Sequence, residues 1–382
     1  MNDHRPPACR ITRRSGLRLI AGAAASIALP SRSQPRTIRI GTTFDNSGPE
    51  RANGSANFKG AQAYFQAVNK AGGILGARVE LVPVDDQFKP ELAKANALAF
   101  SADRSVSAML TPLGTRQTAA IMESVKDMAI VGPVTGTAAL RKSSPPNVFW
   151  VRATYDQEVD RLIRTATTLG MTRIGIVHPK DPLGQSVLAA FIRSMAAARL
   201  EPAIVATTPG TTSTEVGPAV EAVAKAQAQV VIMVAAGAMP VLVRGLRAAN
   251  VASSMYGLSI GASAANIEAL GPMGRGIGFA IVVPPPNAPK YEIVRRYQTD
   301  MRANGGDDFS LPSLEGYVNA RILGEGLRRA GPSPTREGLI AALERIEAFD
   351  IGGMQIGYGA GNRQGGAFVD VAVVGQNGRL IA

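Results

Sequence analysis

From Thr37 onward, short apolar runs alternate with longer segments whose apolar residues recur at helical spacing. Residues 37–43 (TIRIGTT), 79–84 and 106–110 read as strands, while 60–70 (GAQAYFQAVNK), 90–102 and 117–126 read as helices. Strands that alternate with helices predict a parallel sheet covered on both faces. The rhythm restarts at 173–177 (RIGIV) and continues with a helix at 184–198, a strand at 203–207, a helix at 216–226, a strand at 230–235 (VVIMVA) and a helix at 240–249. Two doubly wound units in series are expected, with no short-period repeat.

The run Pro284-Pro285-Pro286 then breaks regular structure. Beyond it lie helical stretches at 290–303 and 314–330, a capped helix at 334–349, an apolar strand at 368–374 and a turn at Gln376-Asn377-Gly378. These late elements have to add to the earlier sheets, so the pattern predicts two interleaved lobes.

Length agrees, since 382 residues exceed one ordinary core. A hydrophobic content of 46% with 18% charged residues fits a globular chain and excludes a disordered one. The net charge of +12 suggests nucleic acid at first, but Arg5, Arg10, Arg13, Arg14, Arg18 and Arg32 against Asp3 place +5 of it in residues 1–33. The rest is spread without a Lys/Arg run or interleaved aromatics, so no nucleic-acid partner is expected.

Residues 1–33 have the layout of an export signal: a basic stretch, the apolar segment LIAGAAASIAL at 19–29, then Pro30 and the small residues Ser31 and Ser33. The apolar segment is shorter than the roughly 20 residues of a membrane span. TRRSGLR at 12–18 resembles a twin-arginine signal, and Gly16 leaves the ordinary secretory route open. Both routes predict a periplasmic protein. Cys9, the one cysteine, precedes the apolar segment, so the mature chain is expected to hold no disulfide and no thiolate.

Candidate chemistry is sparse. GPVTGTAALR at 132–141 is a glycine- and threonine-rich turn between a strand and a helix, a place where N–H groups and hydroxyls converge on an anion. It has no lysine placed for a phosphate, and neither GxGxxG after the first strand nor GxxxxGK[ST] anywhere supports a nucleotide. His178 is the one histidine of the mature chain, and no GxSxG elbow offers it a serine. The adjacent carboxylates Asp85 and Asp86 point to opposite sides of an extended chain, which suits loop capping better than metal binding or acid–base work. No catalytic residue, metal or cofactor is expected.

These residues resemble the periplasmic binding proteins of branched-chain amino acid type, the substrate-capturing partners of ABC importers. IRIGTTFDNSGP, FKGAQAYFQAVNKAGGILGARVELVPVDDQFKPELAKANA, GTRQTAA, GPVTGTAALR, VFWVRATYDQE, RIGIVHPKDPLGQS, LRAANV and LEGYVNARILGEGLRRAG carry the resemblance, from about Thr37 to the end. It implies an α/β fold of the type I kind: two Rossmann-like lobes joined by three crossing segments, near 152–155, 282–286 and 368, with a ligand cleft between them. Lobe 1 would comprise 34–152 plus 283–368, and lobe 2 would comprise 153–282 plus 369–382. The implied function is capture of a small solute by hinge closure and delivery to a membrane permease, by a receptor expected to be monomeric and not an enzyme. A soluble amide- or amino-acid-responsive sensor of the same fold stands as the alternative.

In amino-acid-binding relatives, turns of the first lobe hold the ligand carboxylate. Those turns match Leu113-Gly114-Thr115 and Val134-Thr135-Gly136-Thr137 here. Glycines at 114 and 136 with threonines beside them still suit an anionic group. The family's amine-binding acid falls at uncharged Ser259, and two aromatic positions fall at Leu183 and Ala236. An ammonium left without a carboxylate is costly, so the expectation is a carboxylated, partly apolar ligand without an amine, unless Asp156, Glu158 or Glu315 reaches the cleft. Gly114, Thr115, Val134, Thr135, Gly136, Thr137, Tyr155, Leu183, Ala236 and Ser259 are the expected ligand-binding residues. Glu158 with Tyr155 could serve the ligand or the hinge, and Ser47 and Asn53 could line the first-lobe wall.

Overall fold

The computed structural model describes Met1, Asn2 and residues 36–382. The export-signal reading and Cys9 fall outside the described residues, apart from Met1 and Asn2.

The first part of the chain runs β1 (Thr37–Phe44), α1 (Arg51–Lys70), β2 (Arg78–Asp85), α2 (Pro90–Ala102), β3 (Val106–Leu110), α3 (Thr115–Ser124), β4 (Ala129–Val131), α4 (Ala138–Lys142) and β5 (Val148–Phe149). Its strands form one parallel sheet in the order β2-β1-β3-β4-β5. The chain continues through α5 (Tyr155–Thr168), β6 (Ile174–Pro179), α6 (Pro182–Ala197), β7 (Ile204–Thr208), α7 (Gly217–Ala226), β8 (Val230–Met233), α8 (Met239–Ala248), β9 (Ser254–Gly257), α9 (Ala264–Leu270) and β10 (Gly278–Ile281). Then come α10 (Glu292–Ala303), α11 (Leu311–Ala330), α12 (Arg336–Glu344), the hairpin of β11 (Phe349–Asp350) and β12 (Gln355–Ile356), and finally β13 (Asp370–Val374) and β14 (Leu380–Ile381).

The second sheet has the order β14-β13-β10-β9-β8-β6-β7, parallel from β6 to β10 and closed at one side by antiparallel β13 and β14. Helices α10 and α11 do not stay with it. They pack on α1 of the first lobe, and α11 and α12 reach β4. The interleaving expected from the late elements is therefore real: the first sheet is covered by helices made after the second.

Helix α1 begins at Arg51, well before the helix expected from Gly60, because Gly54 and Gly60 in a polar stretch read as breakers. Their reason is packing. A Cβ on Gly60 would sit 1.7 Å from the Ser313 carbonyl oxygen of α11, and one on Gly316 would sit 1.9 Å from the Asn57 carbonyl oxygen. The two helices meet backbone to backbone, and only glycine permits it.

Helix α5 was not expected as a helix. It is set by a capping box in which Thr154 Oγ1 accepts from Gln157 N at 3.2 Å and Gln157 Oε1 accepts from Thr154 N at 2.8 Å, a device worth about 1 kcal/mol. Its buried face carries Tyr155, Glu158, Val159, Leu162, Ile163 and Ala166 at helical spacing. Helix α12 ends at Glu344, short of the expected 349, since Phe349 pairs with Ile356 in the hairpin.

Candidate ligand cleft

A cavity of about 430 Å³ lies between the two lobes, within the range that small-molecule sites occupy. Every strand from β1 to β9 contributes to it from beyond its carboxyl end, which is where open parallel sheets place ligands. Pro49 and Glu50 follow β1, Phe88 follows β2, Leu113 to Gln117 follow β3, Val134 follows β4, and Arg152 and Tyr155 follow β5. The second lobe supplies Asp181 to Leu183, Pro209 to Thr212, Ala236, Ser259 and Ile260, and α11 adds Pro312 and Glu315. A larger groove of about 1230 Å³ lies elsewhere, along α9, α10 and the turn before β14, away from these strand ends.

The polar end of the cleft is built on β3 and β4. A bridge between Leu113 and Val134 locks their two turns together, with Val134 N donating to Pro112 O at 2.8 Å. Gly114 has φ 99°, open to glycine alone, and a Cβ there would meet the Phe88 ring at 2.8 Å. Past this turn α3 starts without a side-chain cap, so the N–H groups of Thr115, Arg116 and Gln117 lack intrahelical acceptors while all three residues line the cleft. The facing helix of the second lobe is different. Asp181 caps α6 at Gly184 N, 3.0 Å away, and also accepts from Thr211 N at 3.0 Å. The start of α3 thus leaves N–H groups for an acceptor, whereas α6 already holds its own carboxylate.

Of the ten expected residues, Gly114, Thr115, Val134, Tyr155, Leu183, Ala236 and Ser259 line the cavity, whereas Thr135, Gly136 and Thr137 do not. The reason lies in the threonines themselves. Thr115 Oγ1 lies 2.8 Å from Thr135 Oγ1 and 3.0 Å from Thr137 Oγ1, and the latter two are 3.1 Å apart. The three buried hydroxyls satisfy one another, with Thr115 as the member at the wall. Gly136 packs under Tyr155, whose ring a Cβ would meet at 2.7 Å.

The floor is ionic. Arg152 Nη2 donates to Glu158 Oε1 at 3.0 Å and to Ser259 Oγ, while Ser259 N donates to Glu158 Oε2 at 2.8 Å. Arg152 Nη1 also lies 3.3 Å from Glu315 Oε1, close enough for an ion pair but not aligned as a hydrogen bond. Burial raises both carboxyl groups above their ordinary range against the pull of Arg152. Burial opposes the Arg152 charge as well, yet Glu315, Tyr155 and Glu158 hold it above its ordinary value. Glu50, on the first-lobe wall, is likewise raised by burial and accepts from Asn53 Nδ2 at 2.7 Å and from Gly237 N at 2.9 Å.

Ser259 thus reaches the cleft but spends its hydroxyl and N–H on the ion cluster. Glu315 lines the cavity; Glu158 sits behind Ser259, and Asp156 turns away to pair with Arg193. Asn53 is at the wall, whereas Ser47 Oγ donates to Asp85 Oδ2 at 2.6 Å instead. His178 is buried, with Nδ1 2.9 Å from the Pro179 carbonyl oxygen, outside the cavity. Asp85 and Asp86 accept from the amides of Gln87 and Phe88 and shape the turn that carries the Phe88 ring to the cleft. Sequence reasoning missed Arg152, Asn57 and Glu50. A charge flanked by Trp150, Val151 and Ala153 was the available signal for Arg152, since such a residue is buried only when paired.

Among the described residues no helix is long and apolar enough to cross a membrane, and no cluster of three metal-ligating side chains occurs. The periplasmic binding protein family profile matches residues 37–379. No curated protein matches by sequence. Among solved structures, a substrate-binding periplasmic protein from Ralstonia solanacearum is 32% identical, covering 90% of this chain and 99% of its own, with a TM-score of 0.82. A solute-binding protein of an ABC transporter from R. palustris, solved with benzoate, is 17% identical over 90% of this chain and 95% of its own, TM-score 0.80. A leucine-binding protein from Thermotoga maritima is 17% identical over 90% and 97%, TM-score 0.79. The last two share the fold; the profile and the Ralstonia protein carry the lineage. A cleft between two interleaved α/β lobes, over a chain matched almost throughout, makes this protein a member of the periplasmic binding protein family.

Proposed function

We propose that the protein captures a small carboxylate-bearing solute outside the cytoplasm and delivers it to the permease of an ABC importer. The single observation that carries the reading is the uncapped start of α3 at the cleft wall, with Thr115 Oγ1 beside it and the apolar side chains of Phe88, Leu113, Val134, Leu183 and Ile260 beyond. Converging amides at a helix start hold a carboxylate without a buried cation. The apolar wall suits the remainder of the solute, in keeping with the R. palustris relative solved with benzoate and the fatty acid ABC transporter substrate-binding protein of Thermomonospora curvata.

In this reading residues 34–152 with 283–368 form lobe 1 and residues 153–282 with 369–382 form lobe 2, and the lobes close on the ligand by hinge motion. Residues 1–33 direct export by the twin-arginine or the secretory route. Gly114, Thr115 and Val134 meet the carboxylate, over the support of Thr135, Gly136 and Thr137, while Tyr155, Leu183, Ala236 and Ser259 shape the rest. The protein acts as a monomer and makes or breaks no bond.

The test is a thermal-shift screen of small aliphatic and aromatic carboxylates, since a ligand that binds only the folded form raises the midpoint. Saturable stabilisation by at least one carboxylate, lost in Thr115→Val, is expected. Stabilisation by none, across both classes, overturns the reading.

A further inference from the structure

Arg141, in α4, ties together stretches of chain that lie far apart in sequence. Its Nη2 donates to the Arg152 carbonyl oxygen at 2.9 Å and to that of Ala153 at 3.1 Å, and reaches the Thr135 carbonyl oxygen at 3.5 Å. Its Nη1 donates to Gln364 Oε1 at 2.7 Å, and the guanidinium carbon lies 4.8 Å from the centre of the Trp150 ring. Residues 150–154 carry the chain from β5 of the first sheet to α5, which packs on β10 and β13 of the second. Residues 357–369 bring it from the β11–β12 hairpin back to β13. Arg141 thus grips the first and third crossing segments from a helix set between two strands of the first sheet.

The two segments run side by side where Arg141 holds them. Trp150 N donates to the Arg363 carbonyl oxygen at 2.9 Å and Gly365 N to that of Trp150 at 2.8 Å, and a Cβ on Gly366 would fall 2.0 Å from the Val151 carbonyl oxygen. Packing alone is a poor account of the arginine. It is half-buried, its Nε is buried without a partner, and all four of its acceptors are uncharged. Burial, and after it the charge of Arg152, lower its pKa to about 9. Such a charge is costly to keep, and an apolar side chain would cover Trp150 without that cost. What the guanidinium alone offers is a planar fork that fixes several acceptors at set directions. The fork also reaches the ligand turn. Thr135 shares the hydroxyl triangle with cleft-lining Thr115, and the next residue, Gly136, accepts from Tyr155 N at 2.8 Å, so turn and first crossing are joined twice.

We propose that Arg141 is the positioning residue of the hinge: by fastening the first and third crossing segments to the first lobe it sets where the lobes pivot, and it links that pivot to the turn bearing Thr135. Rotation is then confined to the chain beyond Ala153 and beyond Gly366, where the segments pass into the second lobe. The inference rests on the hinge closure of the proposed function and on no particular ligand.

The experiment measures the distance between the lobes in the full chain without ligand, by pulsed electron spin resonance between labels at Arg51→Cys and Glu215→Cys in a Cys9→Ser background. Both labelled positions are exposed, one beside cleft-lining Glu50 and the other just past cleft-lining Thr212. Arg141→Met keeps an apolar stem on Trp150 and loses the fork, so its distance distribution should be roughly twofold broader than that of the parent. Gln364→Ala removes only the arm to the third crossing and should broaden it less, which keeps the test decisive if Arg141→Met does not fold. Arg141→Lys, with the charge but no fork, should resemble the methionine variant. Urea denaturation of the same proteins supplies the contrast: lower midpoints with an unchanged width overturn the proposal, because a residue that only holds the fold gives that result. A parental width in Arg141→Lys also overturns it, since charge would then suffice. A carboxylate screen without any hit overturns the capture reading and leaves the measured widths, and what they say of Arg141, unaffected.

Discussion

Glu50 of the first lobe accepts a hydrogen bond from the backbone N–H of Gly237 in the second, at 2.9 Å, from one wall of the cleft to the other. The bond ties the two walls of the cleft together. Glu50→Ala should shift the free protein toward a more open form, seen as a larger radius of gyration by small-angle scattering. Glu50→Gln keeps an acceptor and should restore the smaller radius; equal radii for all three proteins would remove Glu50 from the closure.

Arg152 pairs with both Glu158 and Glu315, and its side chain is 2% exposed. Arg152→Met strands two buried carboxylates and should cost about 3–5 kcal/mol in urea denaturation. Adding Glu158→Gln and Glu315→Gln should recover much of the loss, because uncharged groups no longer need the guanidinium. No recovery in the triple variant would mean that Arg152 acts by packing.

Thr115 and Thr137 belong to one hydroxyl triangle but differ in what they face. Thr115→Val should weaken binding of whichever carboxylate the screen yields by about tenfold, equal to about 1.4 kcal/mol. Thr137→Val should cost about 1 kcal/mol of stability from the lost buried hydrogen bond and leave the affinity within about twofold. Equal affinity losses would place both hydroxyls on the ligand.

Asp86 is held up to about 6 by burial, against the hydrogen bonds from Phe88 N and Thr43 Oγ1 that pull it down. A carboxyl group raised on folding binds its proton more tightly in the folded state, so its contribution is fully present below its unfolded value of 3.8 and is lost as pH rises through about 6. The free protein should therefore gain stability between pH 7 and pH 5. The gain should be smaller in Asp86→Asn, measured as urea midpoints at the two pH values, and an unchanged difference would refute the assignment.

Gly60 meets the Ser313 carbonyl of α11 where a Cβ has no room. Gly60→Ala should destabilise by about 3 kcal/mol, the upper part of the overpacking range, and should weaken ligand binding too because the same helix pair positions Asn57 and Glu315. Destabilisation with unaltered affinity would separate the helix contact from the site.

The alternation of apolar strands with amphipathic helices was enough to read β1 to β4, β6 to β8 and β13, because burial on two faces leaves an unbroken apolar signature, as in VVIMVA, whereas β5, β9, β10 and β14, two to four residues long, were not read. The start of α1 was hidden because Gly54 and Gly60 weaken the local helix signal while serving a contact with residues far along the chain. The turns after β3 and β4 were legible from their glycines and threonines, but the triangle that turns Thr135 and Thr137 inward is a three-dimensional fact. Likewise Glu315 sits in an ordinary helical sequence, and its position against Arg152 depends on the crossing that returns the chain to the first lobe. Local pattern reports periodicity and turns; it does not report which distant side chains share a cavity.

Helix α1 has its main partner in α11, and the five parallel strands of the second sheet emerge between them. Contacts so far apart in sequence form late, since the loop they close must be ordered first. The second lobe is continuous up to β10 and has what it needs to collapse earlier, whereas the first lobe waits for α11 with α1 uncovered. During synthesis this leaves an interval in which the apolar face of α1 is uncovered, and the wall carrying Asn57 and Glu315 is the last part of the cleft to be assembled.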